Sequence, residues 1–125
     1  MAVDVDVENR SGREVPAAEA VAVIRATLAA EGVDDGELGL HFVGAEESRA
    51  LKRDHLGIDE ATDVLSFPLD AREELPEGLP RQLGDLVVCP DVVGDQWRGP
   101  LVHGVLHLLG YDHGAAMTAR EEELA

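Results

Sequence analysis

The chain has 125 residues, 45% hydrophobic but only 3% aromatic, so a single domain with a core of Val, Leu and Ala is expected. Its 26 acidic residues outnumber 10 basic ones for a net charge of −16, which argues against a general binder of nucleic acid or phospholipid headgroups. No apolar run approaches the roughly 18 residues of a membrane span, Met1 to Asp6 lack the features of a signal peptide, and lone Cys89 has no internal disulfide partner, so a cytoplasmic protein without membrane contact is expected.

Val3, Val5 and Val7 alternate with Asp4, Asp6 and Glu8 over 2–8, the period of a half-buried strand. Asn9 to Gly12 make a turn. Pro16 suits the first turn of a helix, whose buried stripe is Val21, Ile24 and Leu28 and whose stop is Gly32. A second strand is expected at 37–43, and a second helix at 45–55 ending near Gly57. "TDVLSFP" (Thr62 to Pro68) reads as a short strand closed by proline, 70–81 as an exposed loop, and "LGDLVVCP" (Leu83 to Pro90) as a fourth strand. Residues 91–100 are irregular or one helical turn, 101–109 form a largely buried helix and 116–124 a polar one. This order, β-α-β-α-β-β-α-α, implies an α+β fold over 1–125, with one four-stranded mixed sheet packed against helices.

Chemistry concentrates in "HGVLHLLGYDH", where His103, His107 and His113 stand at i, i+4 and i+10. Residues i and i+4 share one helix face, so His103 and His107 can reach one ion. Gly110 can take the left-handed conformation that ends the helix and swings His113 back toward them. Three neutral imidazoles are the ligand set of an open zinc site, and the helix is zincin-like in its spacing. The zinc proteases with this spacing carry a Glu directly after the first His as general base. Here that residue is Gly104, which moves the expectation away from peptide bonds and leaves phosphodiester hydrolysis open.

With "TDVLSFP" and "LGDLVV" preceding the histidines, the chain resembles the YbeY family of bacterial metal-dependent endoribonucleases. The match runs from about Leu51 to His113. The resemblance implies a mixed four-stranded sheet, one Zn²⁺ per chain on His103, His107 and His113, and action on ribosomal RNA in small-subunit maturation and quality control. It makes Thr62, Asp63 and Ser66 candidates for the cleft wall, Ser66 as a catalytic candidate and Thr62 as an RNA-binding one, although Thr62 and Asp63 can equally cap a turn. Asp85 could orient a metal-bound histidine or sit in a turn, and Asp112 could do the same or transfer a proton. Cys89 reads as a small buried hydrophobe.

Many relatives carry an arginine six residues before the Thr of this stretch; here the position is Leu56, with His55 beside it. Arg49, Lys52 and Arg53 share one helix face nearby, and either hold RNA phosphates or pair with Glu46 and Glu47. Relatives also have a longer segment than Asp91 to Pro100 before the metal helix. The leading expectation is thus a single-strand-specific, zinc-dependent endoribonuclease. The alternative is a ribosome-assembly factor with a mainly structural zinc, docking its acidic surface on a small-subunit protein or assembly GTPase.

Overall fold

The structure is a computed structural model and describes residues 3–70 and 73–111. The expected helix at 116–124, and both Asp112 and His113, lie outside the described residues. The elements follow the expected order through β4, with a single helical turn before the metal helix: β1 (Val3–Asn9), α1 (Ala17–Ala30), β2 (Gly36–Phe42), α2 (Ala45–Leu56), β3 (Val64–Pro68), β4 (Gln82–Val88), α3 (Pro90–Val93) and α4 (Arg98–Leu108).

The four strands form one mixed sheet in the order β1-β2-β4-β3. β1 runs parallel to β2 and β2 to β4, whereas β3 is antiparallel to β4. A parallel neighbour needs a crossover connection, and α1 supplies it between β1 and β2. Ile24 and Leu28 of α1, with Leu101, Val105 and Leu108 of α4, bury against Leu38, Leu40, Phe42, Leu86 and Val88 of the sheet. Strand alternation sends Leu65 and Val87 to the opposite face, where they meet Val43, just past β2, and Leu51 of α2. The sheet is therefore covered on one face by α1 and α4, and near β3 by α2 on the other.

Helix ends follow the glycines. Gly32 takes φ +75°, its N–H donates to Ala29 O and that of Val33 to Leu28 O, a Schellman closure of α1. Gly57 closes α2 at φ +73° with its N–H on Arg53 O. Cys89 is fully buried, as expected of a small hydrophobe.

One boundary differs from expectation. The helix read at 101–109 begins at Arg98, because Gly99 and Pro100 occupy its first turn. Proline costs nothing there, since that N–H has no partner within the helix. No helix among the described residues is long and apolar enough to cross a membrane.

Candidate active site

α4 buries Leu101, Val102, Val105, Leu106 and Leu108, and leaves His103 and His107 half-exposed along one stripe. Their rings meet edge to face, with centroids 4.9 Å apart and planes inclined by 72°. At the end of the helix Gly110 takes φ +96°, its N–H donates to His107 O at 3.0 Å, and the Tyr111 N–H donates to Leu106 O at 3.1 Å. This Schellman closure is the helix end expected of Gly110, while His113, which it was to bring back, lies outside the described residues.

The two imidazoles line a cleft of about 1020 Å³. Its other walls are β3 with the residues leading into it, and the last turn of α2, through Lys52, His55 and Leu56. β3 is an edge strand, so the cleft runs along the free edge of the sheet. Asp63 O accepts from Cys89 N, and Leu69 N donates to Leu83 O, so odd-numbered residues face β4 in the ladder. Alternation then directs the Ser66 N–H away from β4, toward the cleft.

Gly104 is fixed by packing. A Cβ built there would lie 2.9 Å from Leu86 Cδ2, 3.0 Å from Val64 Cγ1 and 3.1 Å from Ser66 Oγ. The position lines the cleft but abuts β3 and β4 so closely that a Glu at 104 could not fit without displacing Leu86, Val64 or Ser66. Ser66 Oγ donates to the Gly104 carbonyl at 3.1 Å, so Ser66 holds the helix in place with the hydroxyl proposed for chemistry.

Thr62 and Asp63 do both of the things the sequence allowed. Both line the cleft. Asp63 Oδ1 also accepts the Val64 N–H at 2.7 Å, capping the entry to β3, and the Thr62 hydroxyl reaches the same oxygen at 3.4 Å. Sequence reasoning missed Ser48. Its buried hydroxyl donates to Thr62 O at 3.0 Å and accepts the Thr62 N–H at 3.1 Å, pinning this wall to α2. A serine in mid-helix was the available signal, since such a hydroxyl usually needs a partner.

The basic face of α2 is paired, though not with Glu46 and Glu47. Arg49 makes a two-pronged contact with Asp59 at 2.7 and 3.0 Å, Lys52 Nζ lies 2.9 Å from Glu60, and Arg53 contacts Asp54. Arg49 holds the Asp59 carboxyl below the usual carboxylate range, by hydrogen bonding first and charge second. Glu47 instead receives Arg10. Lys52 alone of the three lines the cleft.

Asp85 does not join the histidines. Gly84 before it faces α4, where its Cβ would lie 3.1 Å from Leu108 Cδ2, so Asp85 points to the other side of the sheet. There Asp85 Oδ1 is 3.0 Å from His41 Nε2, while His41 Nδ1 is 3.4 Å from Glu8. Gly39 leaves room for that contact, since a Cβ would sit 2.3 Å from Asp85 Oδ1. Asp85 is thus engaged with His41 across the sheet from His103 and His107.

Among the described residues no group of three or more His, Cys, Asp or Glu gathers as for a metal. His103 and His107 nonetheless fit zinc: they are side-by-side nitrogen donors on one helix face, opening on a cleft, with the chain turning back after Leu109. The sequence profile described as Endoribonuclease YbeY matches residues 6–124. The chain belongs to the YbeY family. Proteins named Endoribonuclease YbeY from Halorhodospira halophila and Alkalilimnicola ehrlichii are 44% and 45% identical to it, over 89% and 80% of this chain and 79% and 67% of theirs. One of the same name from Mycolicibacterium paratuberculosis is 35% identical over 90% of this chain and 73% of its own. A solution structure of a Thermotoga maritima protein superposes with a TM-score of 0.57, covering 96% of this chain and 85% of that one at 23% identity, and supports the fold.

Proposed function

We propose that this YbeY-family chain is a metal-dependent endoribonuclease that cuts single-stranded RNA, acting on the 3′ end of 16S ribosomal RNA in late maturation and in ribosome quality control. The observation that carries the reading is the His103–His107 pair, 4.9 Å between ring centroids, on the wall of an open cleft in a chain whose relatives bear the name endoribonuclease. His103, His107 and His113 would hold one zinc ion. When bound, zinc would polarise a phosphoryl oxygen and lower the pKa of a coordinated water to about 7.

The remaining work falls to side chains of the cleft. Lys52, its stem largely covered and its ammonium steadied by Glu60, places positive charge toward RNA phosphates. Arg49 and Arg53 can add to it only by exchanging Asp59 and Asp54 for phosphate. The Thr62 hydroxyl and the edge N–H of Ser66 are donors for phosphoryl oxygens. Asp112, next to His113 in sequence, is our candidate for proton transfer.

The test is His103→Ala with purified protein, zinc and a single-stranded RNA carrying the ribosomal 3′ end. The variant should lose cleavage, and wild-type rates in the variant would sink the proposal.

A second reading has its own observation. β1 exposes Asp4, Asp6 and Glu8 in a row, and the chain carries −16 overall, a surface suited to a basic small-subunit protein or an assembly GTPase. In that reading zinc is structural. Cells holding only His103→Ala, at normal protein level, would then keep normal ribosomal RNA ends, whereas the nuclease reading predicts unprocessed 3′ ends.

A further inference from the structure

We infer that His55 and Phe67 form a stacking platform for one unpaired nucleobase of the RNA, an inference that rests on the nuclease reading above. The two rings come from different elements, His55 from the last turn of α2 and Phe67 from β3. They meet edge to face, centroids 5.0 Å apart and planes inclined by 64°, and both line the cleft that contains His103 and His107. Phe67 is half-buried against Val43, Leu65 and Val87, which fix its ring; that ring in turn braces the exposed imidazole of His55.

Aromatic surface is scarce in this chain, with two Phe, one Trp and one Tyr. Phe42 is buried in the core, Tyr111 packs against it, and Trp97 lines a separate cavity beside Phe42 and Leu101. The one ring pair offered to the cleft besides the two metal-binding imidazoles, among the described residues, is therefore His55–Phe67. Leu56 beside it is 57% exposed and extends the apolar surface.

The electrostatics of this wall favour a base over a phosphate. Around His55 the cations of α2 are matched, Lys52 by Glu60 and Arg53 by Asp54, within a chain of net charge −16. Attraction between a π-face and a flat ring survives that balance, because it does not depend on excess positive charge. A base reaches such a platform only when it is unpaired and splayed from its neighbours, so the platform would itself select single strands.

The test uses a short single-stranded RNA with 2-aminopurine at successive positions, mixed with the full chain with and without zinc. Stacking on the platform should quench the probe at one position, His55→Ala should abolish the quench, and His55→Tyr should restore it. In cleavage assays His55→Ala should raise KM by about 5- to 150-fold, the equivalent of the ~1–3 kcal/mol of one stacked base, and lower kcat less. His55→Tyr should recover most of the loss. Removing the base at the quenched position should equalise KM between wild type and His55→Ala. Absence of a quench with wild type, an unchanged KM in His55→Ala, or a His55→Tyr variant as impaired as His55→Ala would each overturn the platform. A wild-type protein that quenches the probe but cleaves no RNA would overturn the nuclease reading and leave the platform standing.

Discussion

The Ser66 hydroxyl donates to the carbonyl of Gly104 at 3.1 Å, joining the edge strand to the helix that bears both cleft histidines. The contact is possible because Gly104 has no side chain: Leu86, Val64 and Ser66 all stand within 3.1 Å of where its Cβ would be. The glycine in place of a protease glutamate thus has a geometric cause. Helix and sheet approach too closely there for a side chain to fit without displacing its neighbours.

Gly104→Ala sets two effects against each other. Alanine gains about 1 kcal/mol of helix propensity, while an extra methyl in a packed core costs about 1–3 kcal/mol. Contacts of 2.9 to 3.1 Å in three directions favour the cost, so urea denaturation should show a net loss of about 1 kcal/mol. Gly104→Glu adds a buried, unpaired carboxylate and should lose several times as much. A Gly104→Glu protein as stable as wild type would show that α4 does not pack as described.

Ser66→Ala removes the tie but leaves the strand. The net loss should be about 1 kcal/mol in denaturation, with zinc affinity weakened by up to about tenfold as the helix loosens. Zinc titration of the purified variant checks this. An unchanged affinity together with an unchanged stability would remove Ser66 from the positioning role.

The Arg49–Asp59 pair predicts a pH signature. Asp59 titrates below its ordinary 3.8 because Arg49 hydrogen-bonds the ionised form. For a group whose pKa is lowered by folding, the stabilisation is complete above the ordinary value and is lost as pH falls through the lowered one. Carboxyl NMR titration should find a low midpoint for Asp59, and Arg49→Gln should raise it. Equal midpoints would show that the pair does not persist in solution.

The same pair bears on RNA. Asp59→Asn frees Arg49, and one more cation at the phosphates should steepen the dependence of log KM on log salt by about 0.7. A slope identical to wild type would place Arg49 outside the RNA path.

Asp85→Asn should retain RNA cleavage within about twofold, since each outer partner of a metal-bound histidine is instead worth about 10- to 100-fold. The carboxylate faces His41 across the sheet from the cleft. A tenfold loss with normal stability would restore Asp85 to the chemistry.

How far the sequence could be read depended on the range of the interaction involved. The valine alternation of β1, the closures at Gly32, Gly57 and Gly110 and the pairing of His103 with His107 all arise within about ten residues, and all were legible. The bulk of the error lay at longer range. Asp85 meets His41, 44 positions away, and strand alternation cannot say which face holds the histidines until the sheet order is known. Arg49 and Lys52 pair with loop residues at i+10 and i+8, outside helical spacing, so a reading limited to one helix looked to Glu46 and Glu47. Ser48, His55 and Phe67 acquire their meaning only once α2 is folded beside β3.

The placement of the cleft also bears on solubility. A sheet of four strands has two unpaired borders, either of which can recruit a strand from another molecule. β1 guards its border with the carboxylates of Asp4, Asp6 and Glu8, which repel a second copy. β3 carries no charge along Val64 to Pro68 and has only its terminal proline and the flanking helices as a guard. Because the substrate cleft lies along that border, bound RNA would also cap it. Self-association should therefore start at β3, rise when the cleft is empty, and fall when nucleic acid fills it.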